Sequence, residues 1–133
     1  MVTFRKCGAQ MVPTKPVVLE VEARVHQGLY DYNAKKYLCL ELGVAAEKRV
    51  AEIHQASSHL FAGKVIDPKE GSLLRVKVPF KYNRVSCTIQ GLKPLQEYTK
   101  GDQVSATIQY CGVWNVNGFS GPSWKLATLG PHP

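Results

Sequence analysis

No apolar run in this 133-residue chain approaches the roughly 18 residues that a membrane-spanning helix needs, and the first ten residues lack the apolar stretch of a secretory leader. These absences predict a soluble, intracellular protein with no membrane partner. Cysteine is sparse and scattered. Cys7, Cys39, Cys87 and Cys111 form no C-x-x-C pair, which argues against a zinc site or a dithiol redox motif. Three of them fall in apolar strand-like runs and are expected to be reduced, buried thiols acting as small hydrophobes. Because the count is even, two disulfides in a secreted protein stand as the alternative.

Catalytic patterns are missing as well. The chain has no Walker loop, dinucleotide fingerprint, G-x-S-x-G elbow or H-E-x-x-H helix. Asp31, Asp67, Glu70, Glu97 and Asp102 lie in turns or connectors at no motif spacing, so neither a carboxylate pair nor a two-metal site is indicated. His54 and His59 are placed to splay across different helix faces and are expected at the solvated surface, and His26 and His132 have no partner signal. The expectation is a protein that is not an enzyme, with no cofactor and no metal.

What is present is a globular composition with a basic excess. Hydrophobic residues make up 44% and charged residues 20%, enough for one domain that buries roughly two-thirds of its unfolded surface. Seventeen Lys and Arg against ten Asp and Glu give a net charge of +7, a field that attracts polyanions, although such a charge also serves solubility alone.

Residues 1–16, with Pro13 and Pro16, lack periodicity and read as an N-terminal arm whose order depends on what it docks against; residues 17–133 read as a single domain. From Val17 to His26 apolar and polar residues alternate, predicting a half-buried strand that ends at Gly28. A decorated hairpin loop, residues 28–36, leads to an apolar strand over 37–42. The one helix is expected over 44–62, with Gly63 as its stop. Further strands are expected over 74–81, interrupted near Pro79, and over 85–90, 103–111 and 123–129. The last two are joined by residues 113–122, whose Asn117-Gly118 pair is a strong turn signal. Six strands and one helix, with no internal repeat, result.

From residue 84 onward this order resembles the second half of OB-fold single-stranded DNA-binding proteins of phage or viral type. The residues that carry the likeness are Gly91, Leu95, Tyr98, the Lys100-Gly101-Asp102 corner and Val104, followed by the closing runs Gly112–Asn115 and Gly121–Leu126. Two features depart from the family pattern. The helix lies between the second and third expected strands, not the third and fourth, and the final Gly130–Pro133 has no acidic residues. The resemblance implies a mainly β fold with one helix, an OB-like antiparallel barrel of five to six strands. It implies largely sequence-nonspecific binding of single-stranded DNA, with RNA left open, in replication, recombination or repair. A homo-oligomer and replication proteins stay open as further partners.

In such a barrel the second and third strands and the loops joining strands one to two and four to five line the groove. Here these positions supply Tyr30, Tyr32, Lys35 and Lys36 from the early loop, and Trp114, Asn115, Asn117 and Phe119 from the late one. Between them lie Arg75, Lys77 and Lys81, with Tyr82 and Arg84 just beyond and Lys125 on the last strand. Cations would track phosphates and aromatic faces would stack on bases. Trp124, Phe80 and Tyr37 are expected in the core instead. The rival reading is a structural or protein-interaction β-domain, such as a viral scaffold or capsid-associated module.

Overall fold

The computed structural model describes residues 2–132. Twelve strands are formed: β1 (Phe4–Cys7), β2 (Gln10–Pro13), β3 (Val18–Tyr32), β4 (Lys35–Leu42), β5 (Lys64–Val65), β6 (Lys69–Glu70), β7 (Leu73–Lys77), β8 (Phe80–Lys81), β9 (Arg84–Val85), β10 (Thr88–Ile89), β11 (Gln103–Val116) and β12 (Phe119–Pro131). One α-helix, α1 (Val44–Ser57), sits between β4 and β7, as the sequence predicts, and runs into a short 3-10 turn over Ser58–Leu60. No helix among the described residues is long and apolar enough to cross a membrane.

Five of the strands close on themselves in the ring β3-β4-β7-β12-β11 and back to β3. Taken in chain order, the fourth, first, second and third lie side by side, which is a Greek key, and the fifth seals the gap. The seal is the parallel contact of Lys125 with Lys77, so the barrel is not wholly antiparallel as expected. Alternation of side chains across each strand fills the interior with Val25, Leu38, Leu40, Leu74, Val76, Val104, Ile108 and Leu126, all fully buried.

Several expectations change. The lead-in forms the β1–β2 hairpin, which docks on β11 through Met11↔Val113 and Gln10↔Trp114. That docking depends on Gly112, at φ 94°, where a Cβ would lie 1.9 Å from the Met11 carbonyl oxygen. The first long strand runs through Gly28 to Tyr32, because register shifts after Val25 and Gln27 absorb the bend. Gly28 instead admits the Tyr98 carbonyl, 2.5 Å from where a Cβ would sit. The strand expected over 85–90 shrinks to the two-residue segments β9 and β10. The side of β12 not paired with β11 is shared along its length by β5, β7 and β10, which leaves residues 84–90 only the far end at Thr88↔Thr128 and Ile89↔Leu129. The connector expected over 113–122 is strand almost throughout. β11 and β12 pair up to Val116↔Phe119 and leave Asn117-Gly118 as a two-residue turn with φ 51° and 81°.

The Lys100-Gly101-Asp102 corner is tied to β3. The Gly101 N–H donates to the Val25 carbonyl at 2.8 Å, and the Val25 N–H donates to the Asp102 carbonyl at 2.8 Å. The Asp102 carboxylate also accepts from the Thr99 N–H at 2.9 Å and from Lys93 Nζ at 2.8 Å.

Helix α1 closes one side of the core with Val50 and Ile53 and adds a buried polar knot. The indole of Trp124 on β12 donates to His54 Nε2 at 2.8 Å, and Tyr110 on β11 donates to Ser57 Oγ at 2.7 Å. Ser57 Oγ in turn donates to the Ile53 carbonyl at 2.9 Å. His54 is therefore 9% exposed and not the surface histidine expected. Five residues separate it from His59 on α1 and its turn, so only one of the two can face the barrel. The cysteines also depart from expectation. Cys7 is exposed and the other three are half-buried, all of them as free thiols.

Candidate nucleic-acid interface

The outward side of β4 and β7 is set by strand alternation. With Leu38, Leu40, Leu74 and Val76 inside, Lys35, Tyr37, Cys39, Arg75 and Lys77 must point out, and the pairings Tyr37↔Lys77 and Cys39↔Arg75 hold them side by side. At one end the β3–β4 turn, Asn33-Ala34 with φ 50° and 63°, raises Tyr32 and Lys35 into a wall. With Trp114 and Val116 from β11 and Pro122, Ser123 and Trp124 from β12, they line a cleft of about 400 Å³.

Of the residues proposed from sequence, the cleft gathers Tyr32, Lys35, Arg75, Lys77 and Trp114. Tyr30 lies just behind, its ring 6.0 Å from that of Tyr37, and Lys125 continues the basic row on β12 beside Lys77. Lys36 points elsewhere, pairing with Asp31 at 2.5 Å. Phe119 sits at the β12 end of the turn, 41% exposed and outside the lining. Lys81, Tyr82 and Arg84 are carried away from the cleft on the separate β8–β9 hairpin, because Pro79 ends β7 before the strand expected over 74–81 is complete.

Tyr37, expected in the core, faces the cleft. The phase was readable: Leu38, Leu40 and Leu42 alternate with Tyr37, Cys39 and Glu41, and only one set can be inside. Ile66 and Pro68, which also line the cleft, come from the segment after α1, where the sequence marks a turn at 67–71 and no binding residue.

The Arg75 guanidinium stacks over Tyr32 and Tyr37, 5.4 and 5.9 Å from their ring centroids, so the cation and two aromatic faces form one block. Burial raises the Tyr30 and Tyr37 hydroxyl pKa values, with Arg75 acting against it. Lys77 titrates below an ordinary lysine, first because of burial and then because of the Lys35 and Lys125 ammoniums, with Cys111 opposing. Among the described ion pairs none involves Lys35, Lys77 or Lys125, and no Asp or Glu lines the cleft. Like charges facing each other across neighbouring strands destabilise a sheet, so this row costs stability in the free protein.

Among the described residues no group of His, Cys, Asp and Glu is placed to hold a metal ion. Comparison with protein-family models, with curated proteins and with solved structures finds no match.

Proposed function

We propose that the chain is an OB-type protein that binds single-stranded nucleic acid, foremost DNA, in this cleft, largely without regard to sequence. The observation that carries the reading is the convergence of Tyr32, Tyr37 and Trp114 with Lys35, Arg75 and Lys77 in one carboxylate-free cleft. Single-strand binding requires this combination, π-faces for bases and cations for phosphates. The Greek-key barrel supports the OB reading, since the cleft lies over the second and third barrel strands, between the first-to-second and fourth-to-fifth turns.

The test is a titration with oligo(dT) at two salt concentrations, followed by tryptophan fluorescence. Binding quenches the emission and weakens steeply with salt. In Trp114→Phe the quenching is largely lost, and in Trp124→Phe it is retained. Folded protein that leaves both fluorescence and oligonucleotide mobility unchanged at low salt overturns the reading. Cleavage of labelled DNA in the presence of a divalent metal would overturn its non-enzymatic part.

A second reading, a protein-interaction module, is favoured by one observation. Val65, Val116 and Phe119 are exposed together with Ile66 at the β11–β12 tip, an apolar rim of the kind that meets protein. Under that reading Phe119→Ser abolishes an assembly and leaves oligonucleotide retention untouched.

A further inference from the structure

Among the described residues the β8–β9 hairpin forms a sheet of its own, apart from the ten-stranded one, pairing through Phe80↔Val85 and Lys81↔Arg84. Its turn is Tyr82-Asn83, both left-handed, with φ of 54° and 63°. Turns of this kind favour Asn and Gly, and a bulky aromatic at the first position carries a steric penalty. No packing offsets it here: Tyr82 is 88% exposed, and the ring's described neighbour is the Lys81 ammonium, 5.7 Å from its centroid. A strained, solvent-facing aromatic held at a hairpin tip is a feature that the free protein does not use.

Charge points to what would use it. Between Glu70 and Glu97 the chain has no carboxylate, and its charged residues there are Arg75, Lys77, Lys81, Arg84 and Lys93. The hairpin also follows directly on a cleft strand: Lys77 lines the cleft, and the N–H of the next residue, Val78, donates to the Lys36 carbonyl at 2.8 Å, beside Lys35 of the cleft wall. The Lys36 ammonium, which turns away from the cleft, lies 5.6 Å from the Phe80 ring centroid.

We infer that the β8–β9 hairpin is a second contact for the same single strand. Tyr82 stacks on a base beyond those held in the cleft, while Lys81 and Arg84 meet the adjoining phosphates. This inference rests on the proposed function, and strand length separates the two. Full-length protein is titrated with labelled oligo(dT) of about 4 and about 16 nucleotides, the limits of single-barrel site sizes.

Tyr82→Ala is expected to bind the long strand about tenfold more weakly and the short one as wild type does, with Tyr82→Phe restoring the long-strand affinity. Tyr82→Gly, which relieves the turn and should leave the protein at least as stable, is expected to show the same long-strand loss, so that a folding defect cannot account for it. An unchanged long-strand affinity in Tyr82→Ala overturns the inference and leaves the hairpin for a protein partner. An equal loss at both lengths overturns it too, since the hairpin would then act through the cleft. Wild-type protein that binds neither length overturns the cleft reading itself.

Discussion

The cleft and the polar knot both draw on β11 and β12, the cleft through Trp114 and the knot through Tyr110 and Trp124, yet their chemistry is opposite. In the knot the indole and both hydroxyls have acceptors: Trp124 donates to His54, Tyr110 to Ser57 and Ser57 to the Ile53 carbonyl. At the cleft the Lys35 and Lys125 ammoniums lie close enough to depress Lys77, and no described ion pair involves any of the three. Satisfied buried groups hold a fold together, whereas uncompensated like charges side by side on a sheet cost a little stability. Mutations in the knot should therefore move stability, and mutations in the cleft should move affinity.

The largest effect is expected at Trp124. Its side chain is 1% exposed and packs 5.0 Å from the Tyr110 ring, so Trp124→Ala removes a large buried volume and leaves His54 Nε2 without its donor. A loss of about 3–5 kcal/mol, read by urea denaturation, follows. If the loss is under about 1 kcal/mol, the knot is not what fastens α1 to the barrel.

Next comes the pH dependence of the same knot. Burial holds His54 down to about 4 from the usual 6.5, with Lys69 adding to the shift and Asp67 at 3.7 Å opposing it. Because Nε2 accepts from Trp124, the neutral ring carries its proton on Nδ1, facing Asp67. The unfolded chain takes up a proton at higher pH than the native state does. The contribution is therefore complete above pH 6.5, declines as the pH falls from 6.5 to about 4, and is constant below that. The full drop is about 3 kcal/mol. Denaturation midpoints across that range should fall in the wild type and flatten in His54→Gln.

Much of this contrast could be read from the sequence, and what could not has a physical cause. Period-two alternation located the barrel strands, and Asn117-Gly118 located the β11–β12 turn, because both signals are local. Closure of the barrel was not visible. It depends on Lys77 meeting Lys125, 48 positions along the chain (125 − 77), and no local pattern encodes that pairing. The same long-range geometry decides that residues 84–90 pair only at their end, and that His54 rather than His59 faces the core. In the cleft the residue types were legible but their grouping was not. Lys35, Arg75 and Trp114 converge because the ring closes, while Lys81 and Arg84, equally basic, leave on a hairpin after Pro79.

On the cleft side the larger effect is expected from Trp114→Ala. The ring is half-buried against the wall, so stability should fall by about 1 kcal/mol or less. Affinity for oligo(dT) should fall about tenfold, as for one lost stacking partner. Should denaturation show a loss as large as that of Trp124→Ala while binding is unchanged, the division between cleft and knot fails.

The smallest effect separates cation from ring within the cleft itself. Lys77 is depressed by burial and by its neighbours Lys35 and Lys125, so Lys77→Gln removes a mutual repulsion. Stability should rise by a few tenths of a kcal/mol, the scale of one unfavourable cross-strand pair. Binding should weaken only modestly at physiological salt, but the slope of log affinity against log salt should flatten by about 0.7, the contribution of one released counterion on a single strand. Trp114→Ala should leave that slope where it was, because stacking releases no ions. Titrations at four or five salt concentrations, with wild type and both variants side by side, compare the slopes directly. If Lys77→Gln keeps the wild-type slope, its ammonium does not meet a phosphate, and the row formed with Lys35 and Lys125 is a solvated face and not an anion seat.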